Sequence, residues 1–166
     1  MFKWLFRKKE KPSKEIDVYA PVSGKILSLE EVPDPVFSEK MMGDGMAIEP
    51  SDGKVVAPFD GDIMQIFPTK HAVGIKAANG AEILIHVGLE TVSMKGEGFE
   101  SHVSQGDKVK KGDLLITFDL NLIREKANST ITPIIVTNGD MIENIAKKEN
   151  DIVTAGEEVL LTVTVK

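Results

Sequence analysis

The residues of this chain that are best placed to do chemistry are two histidines, His71 and His86, in segments that read as paired strands. The segments are separated by Asn79-Gly80, a dipeptide that favours a two-residue hairpin loop. Such a loop would place Val73 opposite His86 and make the two histidines diagonal neighbours on one face, about 7–8 Å apart between backbones. A shift of one residue would send them to opposite faces. The spacing therefore predicts two imidazole rings that can approach a common atom.

The surroundings of both rings favour a neutral, nucleophilic imidazole. Thr69 lies two residues before His71, so its hydroxyl can bond one ring nitrogen and fix the tautomer. The run ILIHVGL at residues 83–89 surrounds His86 with apolar side chains, which disfavour the charged ring and leave a nitrogen lone pair available near neutral pH. Two such rings fit phosphoryl transfer, in which one ring accepts the group and the other donates a hydrogen bond to its oxygens.

Two other kinds of function are compatible with these residues. Together with Glu90, the two histidines supply three zinc ligands and leave one position open, as in zinc-dependent hydrolases, although the sequence contains no His-Glu-x-x-His motif. The stretch Gly-Asp-x-Val-x-x-Gly-Asp at residues 106–113 resembles biotinyl and lipoyl carrier domains, but it lacks the residues that flank their modified lysine. A zinc hydrolase and a biotinyl- or lipoyl-like carrier are therefore the alternatives to phosphoryl transfer.

Length and composition indicate one globular domain in a reducing compartment. The chain has 166 residues, of which 42% are hydrophobic, enough for a substantial core. It has no cysteine, so histidine, carboxylate or hydroxyl groups must carry any reaction. The net charge is −6, and after residue 14 the chain holds 14 basic and 25 acidic residues. This acidic body, poor in aromatic residues, argues against binding nucleic acid and favours basic protein partners.

Residues 1–15 differ from the rest and are expected to form a flexible, basic, amphipathic segment. Over residues 1–11, aromatic and leucine side chains mix with lysine and arginine, which favours weak contact with an anionic membrane surface; the alternative is a disordered, solubilising tail. No apolar run reaches the roughly 18 to 20 residues of a membrane span, and the N-terminus lacks the features of a secretory signal. We expect a cytoplasmic location, with peripheral contact at the inner face of the membrane, and a folded domain over residues 16–166.

The pattern from Ile16 onward predicts an all-β fold, because short β-type runs are broken by Gly, Pro, Asn and Asp at intervals of about 8 to 12 residues. Residues 20–26 (APVSGKI) recur at 57–63 (APFDGDI), and residues 109–115 (VKKGDLL) recur at 153–159 (VTAGEEV). These repeats predict hairpin units packed in a compact antiparallel β-sandwich or flattened barrel. Single helical turns are expected at Ser38–Met42, Leu120–Ala127 and Met141–Lys147.

Five longer segments carry a resemblance to a known family. They are PDPVFSEKMMGDGMAI (33–48), PTKHAVGI (68–75), EILIHVGLETVSMKGEGFE (82–100), GDKVKKGDLLITFDL (106–120) and KANSTITPIIVTN (126–138). The sequence is identified as a member of the glucose-family enzyme IIA components of the bacterial sugar phosphotransferase system. The resemblance covers nearly everything from residue 16 to the C-terminus, and its most specific part is HVGLETVSMKGEGF.

The resemblance implies a compact antiparallel β-sandwich that accepts a phosphoryl group from the histidine phosphocarrier HPr and passes it to the IIB domain of a sugar permease. By position, His86 matches the phosphorylated histidine, normally modified on Nε2. His71 matches the second histidine, which supports the phosphoryl group, and Thr69 matches the hydroxyl partner of that second ring. No cofactor is required for this activity.

The resemblance also implies how partners are recognised. Asp34 and Glu90 match acidic positions that can meet partner arginines, and Glu90 stands where some members have aspartate. An apolar docking rim is implied at Val36, Phe37, Phe67 and Val92. The family further allows regulatory protein targets, and a zinc ion held by His71, His86 and a carboxylate of a partner protein.

Overall fold

The structure, a computed structural model, describes residues 13–148 and 151–166. The expected membrane contact through residues 1–11 lies outside the described residues. The fourteen strands within the described ranges are β1 (Glu15–Tyr19), β2 (Gly24–Ser28), β3 (Asp44–Pro50), β4 (Lys54–Val56), β5 (Gly61–Ile66), β6 (Ala72–Ala77), β7 (Glu82–His86), β8 (Phe99–Ser101), β9 (Lys108–Val109), β10 (Leu114–Phe118), β11 (Thr132–Val136), β12 (Ile142–Lys147), β13 (Ile152–Val153) and β14 (Val159–Val165). The helical elements of the same described ranges are α1 (Pro35–Ser38), α2 (Leu120–Lys126) and three 3-10 turns at Leu29–Glu31, Thr91–Met94 and Gly139–Met141.

Across residues 13–148 and 151–166, all of the strand pairs are antiparallel, and they form one large sheet and two small ones. The large sheet has eight strands in the order β13-β2-β3-β11-β7-β6-β5-β9. The small sheets are β1-β14-β12 and β4-β10-β8. The predicted antiparallel β-sandwich with a few short helices is therefore confirmed.

The large sheet is buried on both faces, which explains the nearly continuous apolar runs in its central strands. Ile83 and Ile85 of β7 belong to the main core, together with Leu161 of β14 and Leu115 of β10. Leu84 points to the opposite face and joins a smaller cluster. That cluster lies under α1 and contains Leu29, Val32, Phe37, Ala47, Ala72, Leu84, Leu89 and Ile135. The smaller cluster supports the face on which both histidines meet.

The two sequence repeats occupy equivalent places in the sandwich. Tyr19 N–H donates to Pro58 O at 2.9 Å, and Val56 N–H donates to Pro21 O at 2.8 Å, so the two Ala-Pro segments bond each other reciprocally. The following glycines begin β2 and β5, which lie near opposite edges of the large sheet. The second repeat supplies their outer neighbours, β13 beside β2 and β9 beside β5. The two sequence repeats thus correspond to two related halves of the large sheet.

The helical turns agree only in part with expectation. The turn expected at Leu120–Ala127 is present as α2, and Asp119 caps it by accepting a hydrogen bond from Leu122 N–H at 3.1 Å. The turn expected at Ser38–Met42 is wrong, because α1 begins earlier, at Pro35, behind the capping residue Asp34. The turn expected at Met141–Lys147 is also wrong. That segment is strand β12, which pairs with β14 at the edge of a small sheet.

No helix within residues 13–148 and 151–166 is long and apolar enough to cross a membrane.

Candidate phosphotransfer site

The hairpin of β6 and β7 has a different turn from the one expected. Ala72, not Val73, lies opposite His86. Ala77 N–H donates to Ala81 O at 2.9 Å and Gly80 N–H donates to Ala77 O at 3.0 Å, so three residues rather than two form the loop. Gly80 adopts a φ of +96°, as the last position of such a three-residue loop requires. The predicted register is therefore wrong by one residue.

The histidine rings nevertheless meet, because His71 precedes β6 and does not follow the alternation of that strand. The chain turns just before it: Lys70 has a φ of +60°, and its N–H donates to Phe67 O at 2.7 Å. His71 O then accepts a hydrogen bond from Val87 N–H at 2.7 Å. The centroids of the His71 and His86 rings lie 4.8 Å apart, with the ring planes at 79°. The expected two-histidine site is present, but the turn before β6 creates it rather than the strand register.

The hydrogen bond of His86 identifies its free nitrogen. His86 Nδ1 lies 2.9 Å from Gly88 O. Because a carbonyl oxygen can only accept, Nδ1 must carry the proton. In the neutral ring the lone pair is then on Nε2, which is the nitrogen available for attack.

The position of the Gly88 carbonyl depends on a tight turn after β7. Gly88 has a φ of +75°, and a Cβ built there would lie 2.6 Å from Thr91 Cγ2 and 2.9 Å from Ser129 O. The buried Thr91 hydroxyl donates to Val87 O at 2.6 Å, and Leu89 N–H donates to Ser129 O at 2.9 Å. Sequence reasoning missed Gly88, Thr91 and Ser129 as supporting residues. A glycine two residues after a reactive histidine at a strand end was the available signal.

The His71 ring is held by Thr69 and Phe67. Its Nδ1 is hydrogen-bonded to the Thr69 hydroxyl, as the sequence suggested. The residue is 3% exposed, and the Phe67 ring packs edge-on against it with centroids 5.5 Å apart. The hydroxyl can act as donor or acceptor, so this bond permits either neutral tautomer of His71. Thr69 and Phe67 together fix the orientation of the ring.

Both rings are held neutral at physiological pH. Burial, followed by the nearby charge of His86, lowers the pKa of His71 to about 4. Burial also lowers the pKa of His86, although the hydrogen bond to Gly88 O and the charges of Asp34 and Glu90 oppose the shift. A neutral His86 is a nucleophile, and a neutral His71 adds no positive charge to the pair.

A shallow depression surrounds the His86 ring. It is lined by Asp34, Val36, Phe37, Met42, His86, Glu90 and Val92. Val36 and Val92 are exposed, but Phe37 is buried and its ring contacts His86 with centroids 5.1 Å apart. The nine site residues expected from the sequence are therefore the two histidines and seven residues that surround them. Phe37 is a support beneath the rim rather than part of its exposed surface, and Met42 is a lining residue that the sequence did not suggest.

Backbone geometry positions the two carboxylates of the depression. Asp34 caps α1, where its Oδ1 accepts a hydrogen bond from Val36 N–H at 3.0 Å. Glu90 has a φ of +63° and precedes the 3-10 turn Thr91–Met94. Asp34 and Glu90 thus give the edge of an apolar depression a negative charge.

The segment between α1 and β3 is tied to the rest of the molecule by ion pairs. Asp44 contacts Lys147 at 2.8 Å and Lys40 at 3.6 Å, and Lys40 also contacts Glu30 at 3.2 Å. Lys147 lies in β12, so these pairs join the segment next to the rim to a small sheet.

The three-ligand zinc site considered from the sequence does not form. Within residues 13–148 and 151–166, no three His, Cys, Asp or Glu side chains converge as a metal site. The two histidines can provide two ligands, so a zinc ion here would need further ligands from a partner.

Comparisons with known proteins agree on one family. Residues 16–142 match the family model described as phosphoenolpyruvate-dependent sugar phosphotransferase system, EIIA 1. The glucose-specific EIIA component of the phosphotransferase system from Bacillus cereus is 58% identical over 166 residues, which is 100% of both chains. The corresponding protein from Staphylococcus aureus is 48% identical over 164 residues, 99% of each chain.

A solved structure extends the agreement to the fold. The glucose permease IIA from Mycoplasma capricolum is 42% identical and superposes with a TM-score of 0.79, covering 89% of this chain and 95% of that one. Fold and sequence together define a phosphotransferase component of the all-β phosphocarrier class, which works through a phosphohistidine intermediate. The chain belongs to the EIIA 1 family of the phosphoenolpyruvate-dependent sugar phosphotransferase system.

Proposed function

We propose that His86 Nε2 is the atom that accepts the phosphoryl group from phospho-HPr and then yields it to the IIB domain of a sugar permease. The observation that carries this assignment is the hydrogen bond from His86 Nδ1 to Gly88 O, which leaves the lone pair of the neutral ring on Nε2. The lone pair attacks phosphorus in line with the bond to the donor nitrogen of HPr. That N–P bond breaks, its electron pair returns to the HPr imidazole, and a new N–P bond forms on His86. Transfer to the IIB domain repeats the exchange with His86 as the leaving group.

His71 is proposed to steady the transferred group. With the Thr69 hydroxyl donating to Nδ1, the His71 proton resides on Nε2 and can be donated to a phosphoryl oxygen. The donor is already oriented before the reaction, so little reorganisation is needed as charge moves through the transition state. A neutral donor also avoids binding the product so tightly that the group is not released.

Asp34, Glu90, Val36, Phe67 and Val92 are proposed to form the docking surface, with Phe37 supporting it from below. An apolar rim with acidic edges favours fast, brief encounters with basic partners. The curated relatives are glucose-specific, so we propose glucose as the transported sugar. We further propose that residues 16–166 act as the cytoplasmic carrier domain and residues 1–15 as a tether with weak affinity for the membrane surface.

Regulatory targets and a shared zinc ion extend this proposal. Phosphorylation adds about two negative charges to an acidic surface, which would change the proteins that dock there. The adjacent imidazoles fit a zinc ion that takes a carboxylate from such a target. In that state the metal would join two proteins, and it would take no part in phosphoryl transfer.

The test is a phosphotransfer assay with enzyme I, HPr and radiolabelled phosphoenolpyruvate. His86→Ala should take up no label, because the acceptor nitrogen is gone. His71→Gln should still become labelled but should pass the group to the IIB domain much more slowly. Label on the folded His86→Ala protein would overturn the acceptor, and normal onward transfer by His71→Gln would remove the supporting role of His71.

A further inference from the structure

The methionines of the described residues divide by exposure. Six of the seven in the sequence lie within the described ranges. Met46 and Met94 are buried, at 6% and 7% exposed. Met42 and Met64 are 37% and 38% exposed. Met141, in the 3-10 turn before β12, is 52% exposed, and Met41 is 70% exposed. Thioethers at the surface are open to oxidants, whereas those in the core are protected.

Met42 and Met64 lie on the face that carries the histidine pair. Met42 lines the depression around His86 and also a neighbouring groove. That groove contains Met64, Phe67 and Gly74. A Cβ at Gly74 would have Met64 Cβ as its nearest neighbour, at 3.9 Å, so the glycine leaves room on the floor of the groove. The two thioethers therefore border apolar space next to the proposed docking rim.

We propose that Met42 and Met64 are a modification site at which peroxide converts the thioether to a sulfoxide, and that this change weakens docking of both phosphotransfer partners. In each reaction a sulfur lone pair attacks one peroxide oxygen, the O–O bond breaks, and an S–O bond forms. Sulfur loses two electrons, and the other oxygen leaves as hydroxide, which takes the proton of the attacked oxygen and becomes water. The inference rests on the proposed function, because it concerns the surface that HPr and the IIB domain must use.

The expected effect is on binding and not on the chemical step. A sulfoxide is a strong acceptor on a surface that must be desolvated when a partner docks, and it replaces a flexible apolar side chain. His86, His71 and Gly88 are untouched by this change. The KM for phospho-HPr should therefore rise roughly five- to twenty-fold while kcat stays within about two-fold.

The test begins with purified full-length protein treated with hydrogen peroxide, followed by catalase before any partner is added. Peptide mass spectrometry should find sulfoxide at Met42 and Met64 well before Met46 and Met94. The KM for phospho-HPr should rise in step with oxidation at Met42 and Met64. Methionine sulfoxide reductases A and B, added together, should restore the original KM.

Three variants separate this site from general oxidation. The double variant Met42→Leu with Met64→Leu keeps apolar bulk and should retain its KM after peroxide. Met141→Leu, which removes an exposed thioether elsewhere, and Met41→Leu, which removes the neighbour of Met42, should remain as sensitive as the unaltered chain. Each variant is compared with its own untreated sample.

Several results would overturn the inference. They are oxidation of Met42 and Met64 no faster than of the buried methionines, an unchanged KM in the oxidised protein, or a double variant as sensitive as the parent. Failure of the untreated protein to become phosphorylated on His86 would overturn the proposed function and this inference with it. Normal phosphotransfer that is insensitive to peroxide would overturn this inference alone.

Discussion

At the scale of single residues, the site depends on keeping two imidazoles neutral and each in a defined orientation. Burial disfavours the charged form of both rings. A carbonyl fixes the tautomer of His86, and a threonine hydroxyl orients His71. The histidines and Thr69 could be found from sequence because their types and spacing are visible there. The tautomer of His86 could not, because a backbone carbonyl has no side-chain signature.

The pKa of His71 predicts how stability depends on pH. His71 titrates near 4 in the folded protein and near 6.5 when unfolded, so the unfolded state binds more protons between these values. The contribution of this neutral, buried ring is present above pH 6.5 and is lost as the pH falls toward 4. The loss amounts to at most about 3 kcal/mol. Urea unfolding from pH 7 to 4 should therefore show a falling free energy of unfolding.

The matched variant for this measurement is His71→Gln, which cannot titrate. Its free energy of unfolding should decline less steeply between pH 6.5 and 4 than that of the unaltered chain. Parallel pH profiles for the two proteins would contradict the assignment of the acid-sensitive step to His71.

At the scale of elements, the turn after β7 is the part that makes His86 usable. Gly88, with its positive φ, brings its carbonyl to Nδ1 and leaves no space for a Cβ. Hydrogen bonds from the Thr91 hydroxyl and to Ser129 O stabilise this turn, and Thr91 begins the following 3-10 turn. A short, tightly packed turn therefore couples backbone conformation to the chemistry of the ring.

Gly88→Ala tests this coupling. The left-handed conformation costs an alanine about 1–2 kcal/mol, and the contacts with Thr91 and Ser129 add to that cost. The displaced carbonyl should lower the rate of phosphoryl uptake roughly 100-fold. Gly106→Ala is the matched control, since Gly106 also has a positive φ, of +91°, but open space around it. That variant should lose about 1–2 kcal/mol of stability and none of its phosphoryl uptake. Equal uptake by folded Gly88→Ala and Gly106→Ala would contradict the role of the turn.

Two of the misplaced elements, the loop between β6 and β7 and the segment 141–147, could not be decided from local signals. Asn79-Gly80 favours a tight turn but does not decide whether two or three residues form the loop, and that choice shifts the register by one. Residues 141–147 have a helix-like start, but pairing of β12 with β14 overrides local preference. Asp34 and Pro35 form a local capping signal that should have placed α1 correctly. Local signals were sufficient for caps and insufficient for non-local pairing.

At the scale of the whole molecule, two related halves build one large sheet, and the histidine face lies on it beside an acidic rim. The sequence repeats predicted the sandwich because each repeat begins a strand of that sheet. The net charge of −6 suits a carrier, because charge speeds the encounter with partners that the carrier must also release quickly. Charge distribution, rather than tight contact, should therefore govern its encounters.

Removing the two carboxylates of the depression tests that expectation. The double variant Asp34→Asn with Glu90→Gln should lower kcat/KM for phospho-HPr several-fold at low salt and flatten its dependence on ionic strength. Asparagine can still cap α1, so the fold should be retained. Glu100→Gln with Glu143→Gln makes the same change in net charge away from the depression and should have a smaller effect. Equal effects of the two double variants would show that only net charge matters.

Long-range proton–nitrogen NMR of the histidine-labelled protein identifies the phosphorylated nitrogen directly. Before phosphorylation, His86 should be neutral with its proton on Nδ1, as the bond to Gly88 O requires. After reaction with phospho-HPr, the phosphorus-coupled nitrogen should be His86 Nε2. A phosphoryl group on His86 Nδ1, or on His71, would show that His86 Nε2 is not the acceptor.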